Sequence, residues 1–141
     1  MTRINAFVPP ENLCDQMLIA EHREIKRIPN TIRSGKAILK TIPAQFKLGT
    51  GHVKFFYDKL GYLRNRYALL LLECRRRGFN VTDYSSVFSG IGEDLMGDFD
   101  FCAESKRLVE ERIEQKLGGM KNIRYFGTTI TKEKAIKTLK Q

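Results

Sequence analysis

The most constraining feature of the sequence is a regular apolar repeat in the middle of the chain. Large apolar residues recur there at spacings of four, three, four, three and four: Phe56, Leu60, Leu63, Tyr67, Leu70 and Cys74. This period is typical of one buried face of an α-helix. Gly78 is the expected stop of the helix. Gly61 inside it costs about 1 kcal/mol in helix propensity, which indicates a close packing contact there.

Two further main helices are predicted, one on each side of this central helix. The first should span about residues 13–28, with Asn12 as its N-cap and Pro29 as its end or kink. The third should run from about Asp100 to Lys116 and end at Gly118-Gly119. These boundaries follow from apolar periodicity and from the usual start and stop residues.

The segments between these helices lack a clear period. Residues 1–11 are predicted to form an extended arm, because Pro9-Pro10 disfavours a helix. A short helix is expected at 31–41, and a long irregular connection at 79–100. We therefore expect an all-α fold, a single compact domain of three main helices with an extended N-terminal arm and long irregular connections.

The length of 141 residues suffices for one domain but not for two ordinary ones. We expect a domain over residues 1–127 and a basic tail over residues 128–141, either a short amphipathic helix or disordered. No secretory signal is visible, and the longest apolar run, Tyr67 to Leu72, is too short to span a bilayer. An intracellular location is expected, in the cytoplasm of a bacterial host or the nucleus or cytoplasm of an infected eukaryotic host.

The charge of the chain favours a polyanionic partner. Lys and Arg number 25 against 16 Asp and Glu, which gives a formal net charge of +9. Nucleic acid is a better candidate than a membrane surface for a small domain this basic. Basic residues dominate the polar side of the central helix region and suit phosphate contacts: Lys54, Lys59, Arg64, Arg66, Arg75, Arg76 and Arg77.

The cysteines exclude several classes of site. Cys14, Cys74 and Cys102 are odd in number and far apart, so they indicate neither a disulfide framework nor a zinc site. They are also too few for a four-cysteine iron–sulfur cluster. No metal site is predicted.

One carboxylate on the first predicted helix is expected among apolar side chains. Glu24 shares a helix face with four apolar residues: Leu13, Met17, Ala20 and Ile28. An acid in such a place is either a structural acid, paired here with Arg23 and Arg27, or a functional group. The helix pattern alone leaves both interpretations open.

The N-terminus offers a nucleophile. Thr2 is small enough that removal of Met1 is expected, which would leave an α-amino group with a pKa near 7.7, against about 10.4 for lysine. At neutral pH this gives roughly 500-fold more free amine. Nearby cations such as Arg3 would lower this pKa further.

Several blocks of the sequence carry a family resemblance. They are Met1-Thr2-Arg3-Ile4-Asn5, Asp15-Gln16, Ala20-Glu21-His22-Arg23-Glu24, Gly51-His52-Val53, Phe55-Phe56-Tyr57-Asp58-Lys59, Arg77-Gly78-Phe79-Asn80 and Arg124-Tyr125-Phe126-Gly127. In order and spacing they resemble the pyrimidine dimer DNA glycosylases, small repair enzymes of phages and algal viruses also called endonuclease V. The resemblance extends over about nine-tenths of the chain, to Thr128.

The resemblance implies a bifunctional DNA glycosylase and abasic-site lyase that excises pyrimidine dimers from ultraviolet-damaged duplex DNA, without a metal or organic cofactor. The catalytic residues would be Thr2, Glu24, Arg23 and Arg27. The resemblance and the basic surface together give the DNA-binding candidates: Arg3, Gln16, His52, Lys54, Arg64, Arg112, Lys116, Arg124 and Tyr125. For His52 a capping or core hydrogen-bonding role is an equal alternative. We expect a monomer whose partner is double-stranded DNA with ultraviolet damage or abasic sites, and no membrane association.

Two departures from the family pattern keep other functions open. Met17 stands where the family typically has histidine, and Asn122-Ile123 replaces aromatic residues. A related glycosylase/lyase acting mainly on other lesions or abasic sites is therefore one alternative. The other is a non-catalytic basic DNA-binding module with a structural Arg23–Glu24 pair.

Overall fold

The computed structural model describes residues 2–100 and 102–141. In chain order its elements are α1 (Asp15–Glu24), α2 (Arg27–Arg33), α3 (His52–Phe55), α4 (Leu60–Arg76), α5 (Ala103–Gly118), β1 (Ile123–Tyr125), β2 (Thr128–Ile130) and α6 (Lys132–Leu139). Short 3-10 turns lie at Pro10–Asn12, Phe56–Asp58, Ser85–Phe88 and Glu93–Leu95. The described chain is thus mostly helical, and none of its helices is long and apolar enough to cross a bilayer.

The central helix α4 confirms the apolar repeat. All the predicted core residues from Phe56 to Cys74 are at most 1% exposed. The regular helix begins at Leu60, because Phe56–Asp58 forms a 3-10 turn and Lys59 leaves helical geometry with φ −126° and ψ 37°. Gly78 follows the helix with φ 81°, the left-handed conformation expected of a glycine stop.

The close contact predicted at Gly61 is confirmed. A Cβ atom there would lie 2.5 Å from the Met96 carbonyl oxygen and 2.9 Å from that of Gly97. The next residue, Tyr62, donates its backbone N–H to the Gly97 carbonyl at 3.0 Å. The irregular connection after α4 therefore folds back and lies directly on the backbone at the start of that helix.

The prediction of one helix over residues 13–28 is wrong, because the chain breaks between Glu24 and Arg27 into α1 and α2. Pro29 ends neither helix. It lies in the first turn of α2, where a missing N–H removes no intrahelical hydrogen bond. The helix predicted at 31–41 is also wrong: α2 ends at Arg33, and no helix follows until α3.

Asn12 is not the N-cap of α1, which is Cys14. The Asn12 side chain instead donates from Nδ2 to the backbone carbonyl of Gln141 at 3.2 Å. This hydrogen bond joins the segment before α1 to the last residue of the chain, a partner that no local pattern could indicate.

The chain is mostly helical, as predicted, but the antiparallel hairpin formed by β1 and β2 departs from an all-α fold. Tyr125 pairs with Thr128 across a two-residue loop. Phe126 and Gly127 in that loop have φ of 54° and 76°, as a type I′ turn requires. Phe-Gly is a weaker turn signal than Asn-Gly, but the Thr-Thr-Ile run after Gly127 was a β-propensity signal that the sequence analysis missed.

The C-terminal residues 132–139 form α6, the helical one of the two predicted alternatives for the tail. Ala135 and Leu139 are 5% and 2% exposed, and α6 contacts α5. The third predicted helix is confirmed as α5, although it begins at Ala103 rather than near Asp100. The domain boundary at residue 127 stays a prediction.

Arg77 is buried and connects three parts of the fold. Its Nη1 donates to Asp15 Oδ1 at 2.9 Å, and its Nε donates to Glu73 Oε2 at 2.7 Å. Asp15 in turn accepts the backbone N–H groups of Phe126 and Gly127 at 3.0 and 2.7 Å. This network ties the hairpin loop to α1 and α4, so Arg77 is not the phosphate-contacting residue that the sequence predicted.

Candidate active site

A cavity of about 260 Å³ opens between the N-terminal segment, α1 and α5. Its lining residues are Arg3, Asn5, Met17, Ala20, Glu21, Glu24, Arg112, Ile113 and Lys116. Four of the predicted site residues therefore meet at one place, although they come from distant parts of the sequence. The volume is close to the lower end of ligand pockets, about 300–1,000 Å³, and suits one sugar or base.

Thr2 is not among the residues that line this cavity, but it is next to one of them in the chain. It is half-buried and immediately precedes Arg3, whose side chain lines the cavity. Consecutive Cα atoms are about 3.8 Å apart, so an α-amine on Thr2 would lie within one residue of the lining. The predicted removal of Met1 concerns a residue outside the described part of the chain.

Glu24 lines the cavity, and its carboxylate has a weak ion-pair partner. Its side chain is 17% exposed, and Arg23 Nη2 lies 3.6 Å from Oε2. The Arg23 side chain is 57% exposed, so this pair contributes little stability. Arg27 is exposed and lies on α2, beyond the break in the helix, and it is not among the cavity's lining residues.

A second acid that lines the cavity, Glu21, is 2% exposed. Its Oε1 accepts from Arg66 Nη2 at 3.0 Å and from Asn5 Nδ2 at 2.9 Å, and Arg66 Nε donates to its other oxygen. Arg66 is only 5% exposed and also donates to the Val8 carbonyl at 2.9 Å. Arg66 is thus a structural partner of Glu21, which corrects its assignment to the phosphate-contacting surface.

Arg112 reaches from α5 to the N-terminal segment. Its Nη2 donates to the Ile4 carbonyl at 3.1 Å and to Asn5 Oδ1 at 3.3 Å. Its buried Nε has no hydrogen-bond partner among the described residues. Burial, followed by the charge of Arg3, lowers the pKa of Arg112 to about 10. The guanidinium stays charged at neutral pH, so Arg3 and Arg112 both bring positive charge to the cavity.

His52 holds the N-terminal segment from the other side. Its Nε2 accepts the backbone N–H of Ile4 at 2.9 Å, and its Nδ1 lies 2.7 Å from the Lys47 carbonyl oxygen. The residue is 3% exposed, and burial, opposed by the Lys47 bond and aided by the Arg112 charge, lowers its pKa to about 4. Both ring nitrogens are occupied within the chain. This placement supports the hydrogen-bonding alternative and gives no support to a DNA contact.

Gln16, Arg124 and Tyr125 meet at the hairpin. The Gln16 side chain donates to the Asn122 carbonyl and accepts the Arg124 backbone N–H at 3.1 Å. The Tyr125 hydroxyl donates to the Glu11 carbonyl. Gln16 and Tyr125 therefore hold the hairpin against the start of α1, whereas the Arg124 side chain remains exposed.

Arg124 and Arg23 line a second cavity of about 430 Å³. Ala20 lines both this cavity and the candidate active site, so the two adjoin along α1. Lys54 and Arg64 line neither of them. Lys54 donates to Thr41 Oγ1 at 2.9 Å, and Arg64 is exposed on α4.

A larger cavity of about 750 Å³ lies along α4, but its chemistry differs. Its lining is largely apolar and includes Phe7, Tyr62, Leu69 and Leu72, together with the acids Glu11, Glu73 and Asp98. These three acids outnumber the two arginines of the larger cavity, Arg66 and Arg76, whereas the smaller cavity has three cations against two acids. Carboxylates repel a phosphate backbone, so the smaller cavity is the better candidate for a nucleic-acid site.

Comparison with protein families gives a match over the N-terminal part of the chain. A family model described as pyrimidine dimer DNA glycosylase matches residues 1–85. The chain belongs to this family. This membership makes the protein a DNA repair glycosylase with DNA as substrate. The matched residues include Thr2, Glu24 and His52. Arg112, Lys116 and the hairpin lie beyond the matched residues. Arg112 and Lys116 were expected at the site from the sequence resemblance, and the structure places both in the cavity lining.

Proposed function

We propose that this glycosylase excises pyrimidine dimers from ultraviolet-damaged duplex DNA and then cleaves the strand as an abasic-site lyase, with the Thr2 α-amine as nucleophile. The observation that carries the proposal is the cavity next to Thr2, which combines the Glu24 carboxylate with Arg3, Arg112 and Lys116. An amine, an acid and phosphate-binding cations are the groups that this chemistry needs.

The glycosylase step begins when the amine nitrogen bonds to C1′ of the 5′ sugar of the dimer. The C1′–base bond breaks, and its electron pair leaves with the base, which takes up a proton. Glu24 would accept the proton lost by the attacking amine and deliver it to the ring oxygen O4′, which opens the sugar and leaves an imine. Its negative charge would also stabilise positive charge that develops on the sugar.

The lyase step uses the imine as an electron sink. Loss of a C2′ proton, assisted by Glu24, drives β-elimination, and the 3′ phosphate leaves with the C3′–O electron pair. Hydrolysis of the resulting imine releases the free amine. Arg3, Arg112 and Lys116 would hold phosphates beside the reacting sugar, with Arg23 and Arg124 along the adjoining cavity.

Lesion preference is the part of the proposal for which a second candidate deserves a test. Met17 is 6% exposed and lines the cavity wall. An apolar thioether there cannot replace the hydrogen bonds of a histidine, so a preference for abasic sites or other lesions is the alternative.

The decisive experiment is borohydride trapping of the Met1-processed protein on duplexes with a thymine dimer, an abasic site or no damage. We expect a covalent adduct on the dimer and abasic duplexes, lost when the amine is acetylated. An adduct on the abasic duplex alone would move the preferred lesion. No adduct on any duplex would contradict the amine mechanism and favour a non-catalytic DNA-binding module.

The variant Glu24→Gln tests the proposed acid. It should bind the dimer duplex within about threefold of wild type but lose glycosylase turnover by roughly 100-fold or more, since proton transfer typically contributes about 10²–10⁴-fold. Glu133→Gln, an exposed acid at the start of α6, is the matched control and should retain full activity. Normal turnover of Glu24→Gln would remove Glu24 from the mechanism.

A further inference from the structure

The N-terminal segment is buried without regular secondary structure. Ile4, Ala6 and Val8 are each 0% exposed, although residues 2–5 form neither helix nor strand. A buried backbone requires partners for its N–H and C=O groups. In this segment side chains from distant elements supply them.

Ile4 is held on both of its backbone polar groups. Its N–H donates to His52 Nε2 at 2.9 Å, and its carbonyl accepts from Arg112 Nη2 at 3.1 Å. These partners lie 48 and 108 residues away in the sequence. Ile4 is two residues beyond Thr2. Only the backbone of Thr2 and Arg3 therefore lies between the fixed Ile4 and the α-amine that is proposed as the nucleophile.

The geometry determines the protonation state of His52. Its Nδ1 lies 2.7 Å from a carbonyl oxygen, which only accepts, so Nδ1 carries the proton. Its Nε2 faces an N–H donor and must therefore be the unprotonated nitrogen. The rings of Phe46 and Phe56 pack edge-on against the imidazole at centroid distances of 5.6 and 5.3 Å, which fixes its orientation.

We propose that His52 is a positioning residue, which as a neutral hydrogen-bond acceptor fixes Ile4 so that the Thr2 amine is presented to the cavity. This inference rests on the proposed function. His52 touches no substrate in this assignment. Its contribution is to restrict the amine to the reactive geometry, and a misplacement of about 1 Å can cost roughly 100-fold in rate.

Two substitutions separate the acceptor from the rest of the ring. In His52→Gln the amide oxygen takes the place of Nε2 and keeps an acceptor for Ile4. In His52→Asn the shorter amide reaches only the Nδ1 position, so the Lys47 contact can persist while Ile4 loses its partner. Phe88→Leu, a core change beside the Tyr67 ring and outside the N-terminal segment, controls for lost stability.

The readouts are the single-turnover rate of borohydride trapping on an abasic duplex and the affinity for a non-reactive duplex analogue. We expect His52→Asn to trap roughly 10- to 100-fold more slowly, with affinity within about threefold of wild type. His52→Gln should recover most of the rate, and Phe88→Leu should keep it. A wild-type rate in His52→Asn, or equal slowing of both His52 variants, would overturn the positioning role.

An amide measurement distinguishes failure of this inference from failure of the proposed function. Hydrogen exchange at the Ile4 amide, followed by NMR, should be slow in wild type and His52→Gln and fast in His52→Asn. Long-range ¹⁵N–¹H spectra should show the proton of His52 on Nδ1. If wild type traps on no duplex, the amine mechanism fails and these spectra alone judge the Ile4 contact; unprotected Ile4 in wild type would overturn it.

Discussion

At the scale of single residues, Glu21 and Arg66 form an ion pair that is almost wholly removed from water. The Glu21 and Arg66 side chains are 1% and 5% exposed. Arg66 donates hydrogen bonds to both carboxylate oxygens of Glu21 and to the Val8 carbonyl. Removal of one partner from such a pair leaves an uncompensated buried charge, which is costly.

We therefore expect Arg66→Met to lower the free energy of unfolding by about 3–5 kcal/mol. Urea denaturation followed by circular dichroism measures the change. Arg64→Met, two residues earlier on the exposed side of α4, is the matched control and should change stability by less than about 0.5 kcal/mol. Equal effects of the two substitutions would mean that the buried pair is not a major source of stability.

Glu21 and Glu24, two of the three acids of α1, show how far the sequence could reach at this scale. Helical periodicity placed Glu24 among apolar residues, but it could not show which of the nearby acids would pair with a buried basic residue. That depends on Arg66, 45 residues from Glu21, and on Asn5 in the N-terminal segment. Glu21 takes these partners, and among the described residues Glu24 has one ion-pair partner, Arg23 at 3.6 Å, and lines the cavity.

At the scale of elements, the start of α4 illustrates a conflict between propensity and packing. Alanine is favoured over glycine in a helix by about 1 kcal/mol, yet Gly61 lies beneath the backbone of Met96 and Gly97. Backbone atoms cannot move aside as a flexible side chain can.

Gly61→Ala should consequently destabilise the protein by about 1–3 kcal/mol despite its better propensity. Gly118→Ala at the end of α5 is the control, since nothing lies within 4 Å of its added Cβ and its φ is not positive. That variant should be neutral or slightly stabilising. Thermal unfolding of both proteins gives the comparison, and a stable Gly61→Ala would show that the connection at 96–97 yields easily.

The elements that the sequence predicted well are those whose signals are local and long. The α4 repeat extends over several turns, so its buried face was correctly identified. The break near Ile25 and the position of Pro29 depend on only a few residues. A proline or glycine is compatible with several backbone conformations, so it does not by itself determine where a helix ends. The β1–β2 hairpin has strands of three residues each. It was missed in the sequence because an all-helical chain was expected.

At the scale of the whole molecule, the C-terminal residues close the fold at two points. α6 packs Ala135 and Leu139 inward, and the Gln141 carbonyl accepts the Asn12 side chain. Lys132 donates a hydrogen bond to the Gly118 carbonyl at the end of α5, and Lys140 forms an ion pair with Glu114 on the same helix. These contacts make the predicted boundary at 127 an experimental question.

A chain that stops after Gly127 should be less stable than the full chain by about 2–4 kcal/mol, because it loses the burial of Leu139 and its neighbours. Denaturant unfolding and DNA affinity should be measured together. Lys137→Ala, at an exposed α6 position, is the control for lost charge. Unchanged stability on truncation would favour the predicted division into a domain and a separate tail.

The net charge of +9 predicted a polyanionic partner, but it could not show which cations would face that partner. Arg66 and Arg77 lie inside the protein, where they organise carboxylates and carbonyls. Arg3, Arg112 and Lys116 gather at the cavity from opposite ends of the chain. The buried cations and the cations that line the cavity can therefore be distinguished only in the folded structure.

The placement of Ile4 also orders events during synthesis. The first residues leave the ribosome early, but Arg112 follows Ile4 by 108 residues, which takes roughly 5–20 s at about 5–20 residues per second. Until then the N-terminus lacks one of its docking partners, so the aminopeptidase that is expected to remove Met1 would have access to it. Under the proposed mechanism, the Thr2 amine would thus be exposed for processing first and enclosed last, and maturation of the proposed nucleophile would precede completion of the fold.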